Sequence, residues 1–341
     1  MKNNPFLPWK ITENIIGMRE ERRLLSVFLD RLFSGKAGIA VCRGPPGTGK
    51  TTLLKLAQAQ GKGAGALSAF VKAGKREKES SIVRALKAEF ESELSKLSEG
   101  GDLAPSKVRL FSQEGVGTFN QLFSAIGKIV GRMPILIIVD DIDLAQHPIE
   151  ILRSIAKDTE KYSAAVIVST TKNIILPPGA FLIELRPVRE EEFRAYVEEN
   201  TRKGIRLGEE CLKAIYTDSG GNPKVIQFVL WQLYDAAKET DKIITRAHYT
   251  ANIRNALALL SHEWFSKQYF EASDEEKRIL RRLAQVGEAS VTELAIALRK
   301  RPGPVATLLL RLEARGDILK VARGRYKVFC PLYAKFILER S

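Results

Sequence analysis

Lys50 and Thr51 close the run Gly44-Pro45-Pro46-Gly47-Thr48-Gly49-Lys50-Thr51, whose residue types and spacing suit the capture of a polyphosphate. Glycines let the backbone curl so that successive amides face the phosphates, and a following helix N-terminus adds unpaired N–H groups and a favourable dipole. Lys50 then reaches the β- and γ-phosphates, and the hydroxyl of Thr51 holds magnesium. A turn that only reverses the chain has no need of the Gly-Lys-Thr ending. A second cluster of reactive types follows at Asp140-Asp141-Ile142-Asp143. Asp140 suits the metal side, acting through water, and Asp141 suits the orientation of a hydrolytic water. Acidic residues after an apolar strand also serve as helix caps, a reading that the phosphate loop weakens. A third cluster, Ser169-Thr170-Thr171, offers a hydroxyl from Thr170 or Thr171 to sense a terminal phosphate. Such polar strand ends also occur without any catalytic part.

The elements that must position these groups are legible as apolar runs. Gly38 to Cys42 reads as a short buried strand, and Thr51 to Gln60 as a helix with Leu53, Leu54 and Leu56 as its apolar contacts. Ile135-Leu136-Ile137-Ile138-Val139 has the uninterrupted apolar character of a central parallel strand. Ala66 to Val71 and Ala164 to Ser169 supply further strands, with helical patterns at Arg19 to Phe33, from Ser80 through Leu97, from Thr118 through Ile129, and at Ile149 to Thr159. Strands separated by helices predict βα units around a mostly parallel sheet, and ligands of such sheets gather at the carboxyl ends of the strands. Residues 187–246 read as helices, at Glu190 to Thr201, Leu207 to Tyr216, Lys224 to Glu239 and Ile243 to Tyr249. Lys224 follows the bend Gly220-Gly221-Asn222-Pro223 and lies in the first turn of a helix, where a cation gains nothing from the dipole. Phosphate contact and simple solvation are its two readings.

At 341 residues the chain exceeds one core, and the expected domains are 1–186, 187–270 and 271–341. Its 45% hydrophobic and 28% charged content is that of a globular protein, and no apolar run approaches membrane-spanning length. Cys42, Cys211 and Cys330 are too dispersed for a disulfide framework or a metal cluster, so a cytoplasmic location without membrane partners is expected. The net charge of +14 attracts polyanions and makes nucleic acid a reasonable partner, although basic chains also arise for solubility or adaptation to heat or salt.

From Ala272 onward the pattern is that of a small separate module. Ser273-Asp274-Glu275-Glu276 starts one helix, Ser290-Val291-Thr292-Glu293 makes a capping box before a second, and Pro304 begins a third that ends near Arg315-Gly316. Ile318 to Val321 and Tyr326 to Phe329 form a hairpin around Arg323-Gly324-Arg325. Three helices and a hairpin predict a winged helix-turn-helix, whose third helix enters the major groove of double-stranded DNA. Val305, Leu308, Leu309 and Leu312 form the core stripe, leaving Thr307, Arg311 and Arg315 toward DNA. Arg299, Lys300 and Arg301 precede that helix, and Arg323, Arg325 and Lys327 mark the wing. Leu310 gives the same helix an apolar exposed side, which keeps a protein-docking reading open.

Together these residues resemble the AAA+ ATPases, especially the archaeal branch of initiator-like and related ATPases with a helical lid and a C-terminal winged helix. The resemblance is carried by Arg43-Gly44-Pro45-Pro46-Gly47-Thr48-Gly49-Lys50-Thr51-Thr52 as Walker A and Ile137-Ile138-Val139-Asp140-Asp141-Ile142-Asp143 as Walker B, and extends through Ile16-Gly17-Met18-Arg19-Glu20 and Leu185-Arg186-Pro187-Val188. It implies an α/β P-loop NTPase with a mostly parallel sheet, a helical lid and a C-terminal winged helix-turn-helix domain, binding ATP or ADP with Mg2+. By this resemblance Ile16 and Gly17 line the adenine side, Thr170 or Thr171 occupies the sensor-1 region, and Lys224 stands at the sensor-2 position. Three departures mark the chain: Asp141 stands where many relatives have glutamate, Lys224 stands for the usual arginine, and no Ser-Arg-Phe-like finger segment occurs. The Asp-Asp pair is also similar to the STAND signalling ATPases. The expected function is an Mg-dependent, slow ATPase switch that binds double-stranded DNA; the alternative is a STAND-like, nucleotide-regulated protein-interaction switch with little hydrolysis. A third reading, a ring-forming remodeller acting on DNA or protein, would bring self-association.

Overall fold

The computed structural model describes residues 4–10, 15–36, 38–162, 164–201, 204–238 and 240–340. Residues 11–14, part of the segment that leads to Ile16 and Gly17, lie outside the described residues. The chain divides into two compact units, one of Arg19–Gly44 with Lys50–Leu185 and one of Met1–Met18, Pro45–Gly49 and Arg186–Ser341.

The first unit is built on five strands: β1 (Gly38–Arg43), β2 (Leu67–Lys72), β3 (Ile135–Asp140), β4 (Ala164–Thr170) and β5 (Phe181–Glu184). They form one parallel sheet in the order β2-β3-β4-β1-β5. Every residue of β3 and β4 is buried, which explains their unbroken apolar runs: strands covered on both faces have no solvent side to alternate with. Helices Arg19–Phe33, Lys50–Gly63, Glu79–Glu99, Phe119–Val130 and Pro148–Tyr162 surround the sheet, with Phe90, Phe119, Phe123, Ile126 and Leu152 in its core. Thr118 caps one of them, its side chain accepting from the Gln121 N–H at 3.3 Å. A further helix, Pro105–Gln113, lies between Glu79–Glu99 and Phe119–Val130 in the chain.

Register sets the site. Lys72 lies opposite Asp140, Arg43 opposite both Thr170 and Glu184, and Val139 opposite Val168, so the carboxyl ends of all five strands form one edge. The order also makes β1 a switch point, with β4 on one side and β5 on the other, where a ligand crevice opens in such sheets.

In the second unit, helices Glu190–Thr201, Glu209–Ser219, Pro223–Ala236 and Arg246–Leu260 share one core with the C-terminal segment, including Phe193, Phe228, Leu230, Tyr249, Phe265 and Tyr333. Ile243 and Ile244 do not start a helix. They form β7 (Ile243–Ile244), paired in parallel with β6 (Arg206–Leu207), and the helix begins at Arg246 after the capping box of Thr245 and His248. Further along lie helix Asp274–Val286, β8 (Glu288–Ser290), helices Val291–Leu298 and Pro302–Arg315, the hairpin β9 (Ile318–Ala322) and β10 (Arg325–Val328), and helix Pro331–Glu339. The three strands pair antiparallel in the order β8-β10-β9. Ser273 with Glu276 and Ser290 with Glu293 close complete capping boxes, each satisfying two N–H groups that a helix start leaves open. Arg186–Ser341 lies in the same compact unit as Met1–Met18 and Pro45–Gly49.

Candidate functional site

The carboxylates of the first unit converge on the start of helix Lys50–Gly63. Asp140, fully buried, accepts the Thr51 hydroxyl at 2.7 Å on Oδ2 and the Ser169 hydroxyl on Oδ1. Ser169 in turn accepts the Asp141 N–H at 2.8 Å, so one hydroxyl from β4 fixes both acids. Asp141 takes up the left-handed backbone conformation at φ 53°, ψ 43°, which Asp tolerates better than most residues and which turns the chain sharply off β3. Its carboxylate pairs with Lys72 Nζ at 3.0 Å. Burial alone would lower the Lys72 pKa, but the hydrogen bond and charge of Asp141 outweigh it and raise it. Lys50 is nearly buried and donates to the Gly44 carbonyl at 2.7 Å; burial lowers its pKa against the pull of Asp141, Asp143 and Asp140. Cys42 lies in the same strand end, and burial followed by the charge of Asp140 pushes its thiol up to about 12, which makes it a packing residue and no nucleophile.

The turn after β4 is tied down by Asp143, which accepts the Thr171 N–H at 3.2 Å and the Thr171 hydroxyl at 2.8 Å, while Lys172 Nζ donates to the Asp143 carbonyl at 3.0 Å. Thr170 is buried, and its hydroxyl is engaged with the Lys172 backbone on both the donor and the acceptor side. Of this strand end, the hydroxyl of Ser169 reaches Asp140 and that of Thr171 reaches Asp143. Asp143 and Ser169 stand in the acidic and hydroxyl clusters of the sequence without a role assigned to either, and Lys72 is not singled out there; strand register brings Ser169 and Lys72 to the acids.

The turn of the phosphate loop, Pro45–Gly49, belongs to the second unit. Gly47 has φ +79° and its carbonyl oxygen accepts the Lys224 N–H at 3.2 Å, while Asn222 Nδ2 donates to the Pro46 carbonyl at 3.1 Å. Asn222 also caps helix Pro223–Ala236 by accepting from Lys224 and Val225. Thr48, buried, closes the turn by donating its hydroxyl to the Pro45 carbonyl at 2.7 Å. Ile16 is buried with Phe6 and Val188, and Gly17 backs onto the Val188 methyl groups at 3.2 Å from where a Cβ would stand.

Residues 14–168 match the family model for the AAA ATPase domain. Among solved structures, the Walker-type ATPase of Pyrococcus abyssi is similar over 98% of this chain and 100% of its own, at 14% identity and a TM-score of 0.71. A STAND protein with a tetratricopeptide repeat sensor from Pyrococcus horikoshii aligns over 97% of this chain and 43% of its own, at 17% identity and a TM-score of 0.43. The Holliday junction branch migration motor RuvB of Thermotoga maritima aligns over 92% of each chain, at 15% identity and a TM-score of 0.48. No curated protein matches. What the chain shares with the Pyrococcus abyssi protein is the fold, a parallel α/β core with a helical lid, and the β2-β3-β4-β1-β5 sheet described above is that core.

In the C-terminal segment, the residues expected to face DNA separate into two groups. Arg299, Arg301, Thr307, Arg311, Arg323 and Lys327 are exposed. Arg315 is not turned outward as expected: it lies half-buried, binding the buried Asp317 and, at 3.4 Å, Glu276, because a carboxylate buried at the start of β9 demands a cation. Lys300 pairs with Glu275 at 3.0 Å and Arg325 with Glu288 at 2.6 Å. Leu310 is 60% exposed and Ile296 74% exposed in the same segment. No helix of the described residues is long and apolar enough to cross a membrane.

Proposed function

We propose that the chain is a magnesium-dependent, ATP-binding and ATP-hydrolysing switch that binds double-stranded DNA through a C-terminal winged helix-turn-helix spanning 271–341, with 187–270 as the lid. The observation that carries the ATPase reading is the contact of the Thr51 hydroxyl with the buried Asp140 carboxylate beside the buried Lys50. A hydroxyl and a carboxylate at hydrogen-bond distance are oxygen donors of the kind magnesium takes, and among the described residues no three His, Cys, Asp or Glu side chains gather as a cage for any other metal. Thr51 and Asp140 would hold the ion, which supplies charge neutralisation on the phosphates. Lys50 would exchange its neutral Gly44 carbonyl for a charged phosphate oxygen, a stronger partner. Asp141 would leave Lys72 to orient the attacking water, and the turn held by Asp143 would carry Thr171 toward the terminal phosphate. Ile16 and Gly17 would line the adenine side.

The DNA reading rests on the net charge of +14 and on the exposed Arg299, Arg301, Arg311, Arg323 and Lys327. A second reading, a nucleotide-regulated protein-docking switch, is favoured by the exposed Leu310 and Ile296 and by the internal pairing of Arg315, Lys300 and Arg325. Two experiments separate the possibilities. ATP turnover by Lys50→Ala and Asp141→Ala should fall to background; undiminished turnover in both rejects the ATPase assignment. Duplex titration across a salt series should show affinity falling with salt, and Arg311→Ala with Arg323→Ala should flatten that slope by about one unit each. Tight nucleotide binding with no salt-sensitive DNA association selects the protein-docking switch.

A further inference from the structure

Trp264 lies in a π-helical segment, Ser261–Phe265, a form that concentrates at functional positions because it places a side chain that a regular helix would direct elsewhere. Its ring reaches the phosphate loop: a Cβ built on Gly47 would stand 2.8 Å from Trp264 Cη2 and 2.7 Å from Asn222 Oδ1. No residue but glycine fits there, and the loop turn cannot widen on that side without moving the ring. The ammonium of Lys224 lies 4.7 Å from the centroid of the same ring. Behind it, Trp264 packs against Phe265 at 5.5 Å and Phe329 at 5.2 Å, and Phe329 follows β10 of the hairpin. A second segment of the C-terminal part meets the turn too, since a Cβ on Gly316, which caps helix Pro302–Arg315, would overlap Pro46.

We propose that Trp264 is the positioning residue through which the C-terminal part of the chain reads the phosphate loop, by competing with a bound polyphosphate for the ammonium of Lys224. This rests on the loop being a nucleotide site. A cation over an indole is held modestly, and an anionic phosphate is the stronger partner. Polyphosphate in the loop therefore draws Lys224 off the ring, and the freed ring, wedged between Gly47 and Phe329, passes the change to the hairpin.

The test uses the full chain with Trp9→Phe and Trp231→Phe, which leaves Trp264 as the sole tryptophan. Equilibrium dialysis with labelled ATP and ADP measures binding independently, while Trp264 emission is followed on the same samples. We expect an emission change whose midpoint matches the dialysis curve, larger for ATP than for ADP. Trp264→Leu should tighten ATP binding roughly 2- to 30-fold, Trp264→Phe by less, and neither substitution should alter affinity in a Lys224→Gln background. Binding by dialysis with unchanged Trp264 emission overturns the proposal, as does an equal effect of Trp264→Leu with and without Lys224. Absence of binding by dialysis overturns the nucleotide site itself, and the proposal with it.

Discussion

The two ends of the phosphate loop are built differently. Its Lys50-Thr51 end belongs to the parallel sheet and is surrounded by carboxylates and hydroxyls: Asp140, Asp141, Asp143 and Ser169. Its Pro45–Gly49 turn belongs to the lid-bearing unit and is surrounded by an amide, an aromatic ring and a helix end: Asn222, Trp264 and Gly316. On the proposed reading the first set would hold magnesium, phosphate and a water. The second brings the backbone and ammonium of Lys224 beside that ring and is suited to sensing the shape of the turn. Chemistry and read-out are therefore separated along eight residues of chain, and a substitution at one end should leave a distinct signature from a substitution at the other.

The largest expected effect is that of Lys50→Ala, which should reduce kcat/KM for ATP by about 10²- to 10³-fold, the scale for removing one preorganised phosphate donor. Measured in steady state and by nucleotide binding, a loss confined to affinity would move Lys50 to the sensing end. Ser169→Ala comes next. It removes the hydroxyl shared by Asp140 and Asp141, and Mg2+ titration of turnover should show an ion requirement weakened about 10- to 100-fold. An unchanged requirement would leave Thr51 and Asp140 sufficient without it.

Smaller again is Lys72→Gln. The Lys72–Asp141 pair is partly exposed, so releasing Asp141 from it should raise single-turnover hydrolysis by at most about 5-fold. A fall in rate would make Lys72 part of the chemistry. The smallest effect is linked to pH. Burial lowers the Lys50 pKa in the free protein, whereas bound polyphosphate raises it. Binding in the window between the lowered value and the ordinary lysine range must take up a proton, so affinity falls as pH climbs through that window. Calorimetry in buffers of different ionisation enthalpy reads that proton, and Lys50→Ala should abolish it. Because the lysine pKa is lowered in the fold, the nucleotide-free protein should gain stability over the same rise in pH.

The sheet end of the loop was the more legible in sequence. Its strands are buried on both faces and therefore read as unbroken apolar runs, and Asp140 and Asp141 stand where such a run stops. Strand β5 escaped because it is a four-residue edge strand with one buried side chain, too short to show a period. The partners of the acids were hidden for another reason: Ser169 and Lys72 reach them through strand register, which local sequence does not carry. At the turn end, Lys224 was legible from Gly220-Gly221-Asn222-Pro223, but Trp264 and Gly316 meet Pro46 and Gly47 across more than two hundred residues of chain. Arg315 shows the same limit, since its spacing points it outward and only the buried Asp317 turns it back.

The separation of chemistry from read-out is tested most directly by Asp141→Asn in the chain whose sole tryptophan is Trp264, with single-turnover ATP hydrolysis and Trp264 emission measured on the same samples. Hydrolysis should fall by about 10²-fold or more while ATP still produces the emission change at nearly the same midpoint. Hydrolysis at the unsubstituted rate, or an emission change lost together with turnover, would contradict it.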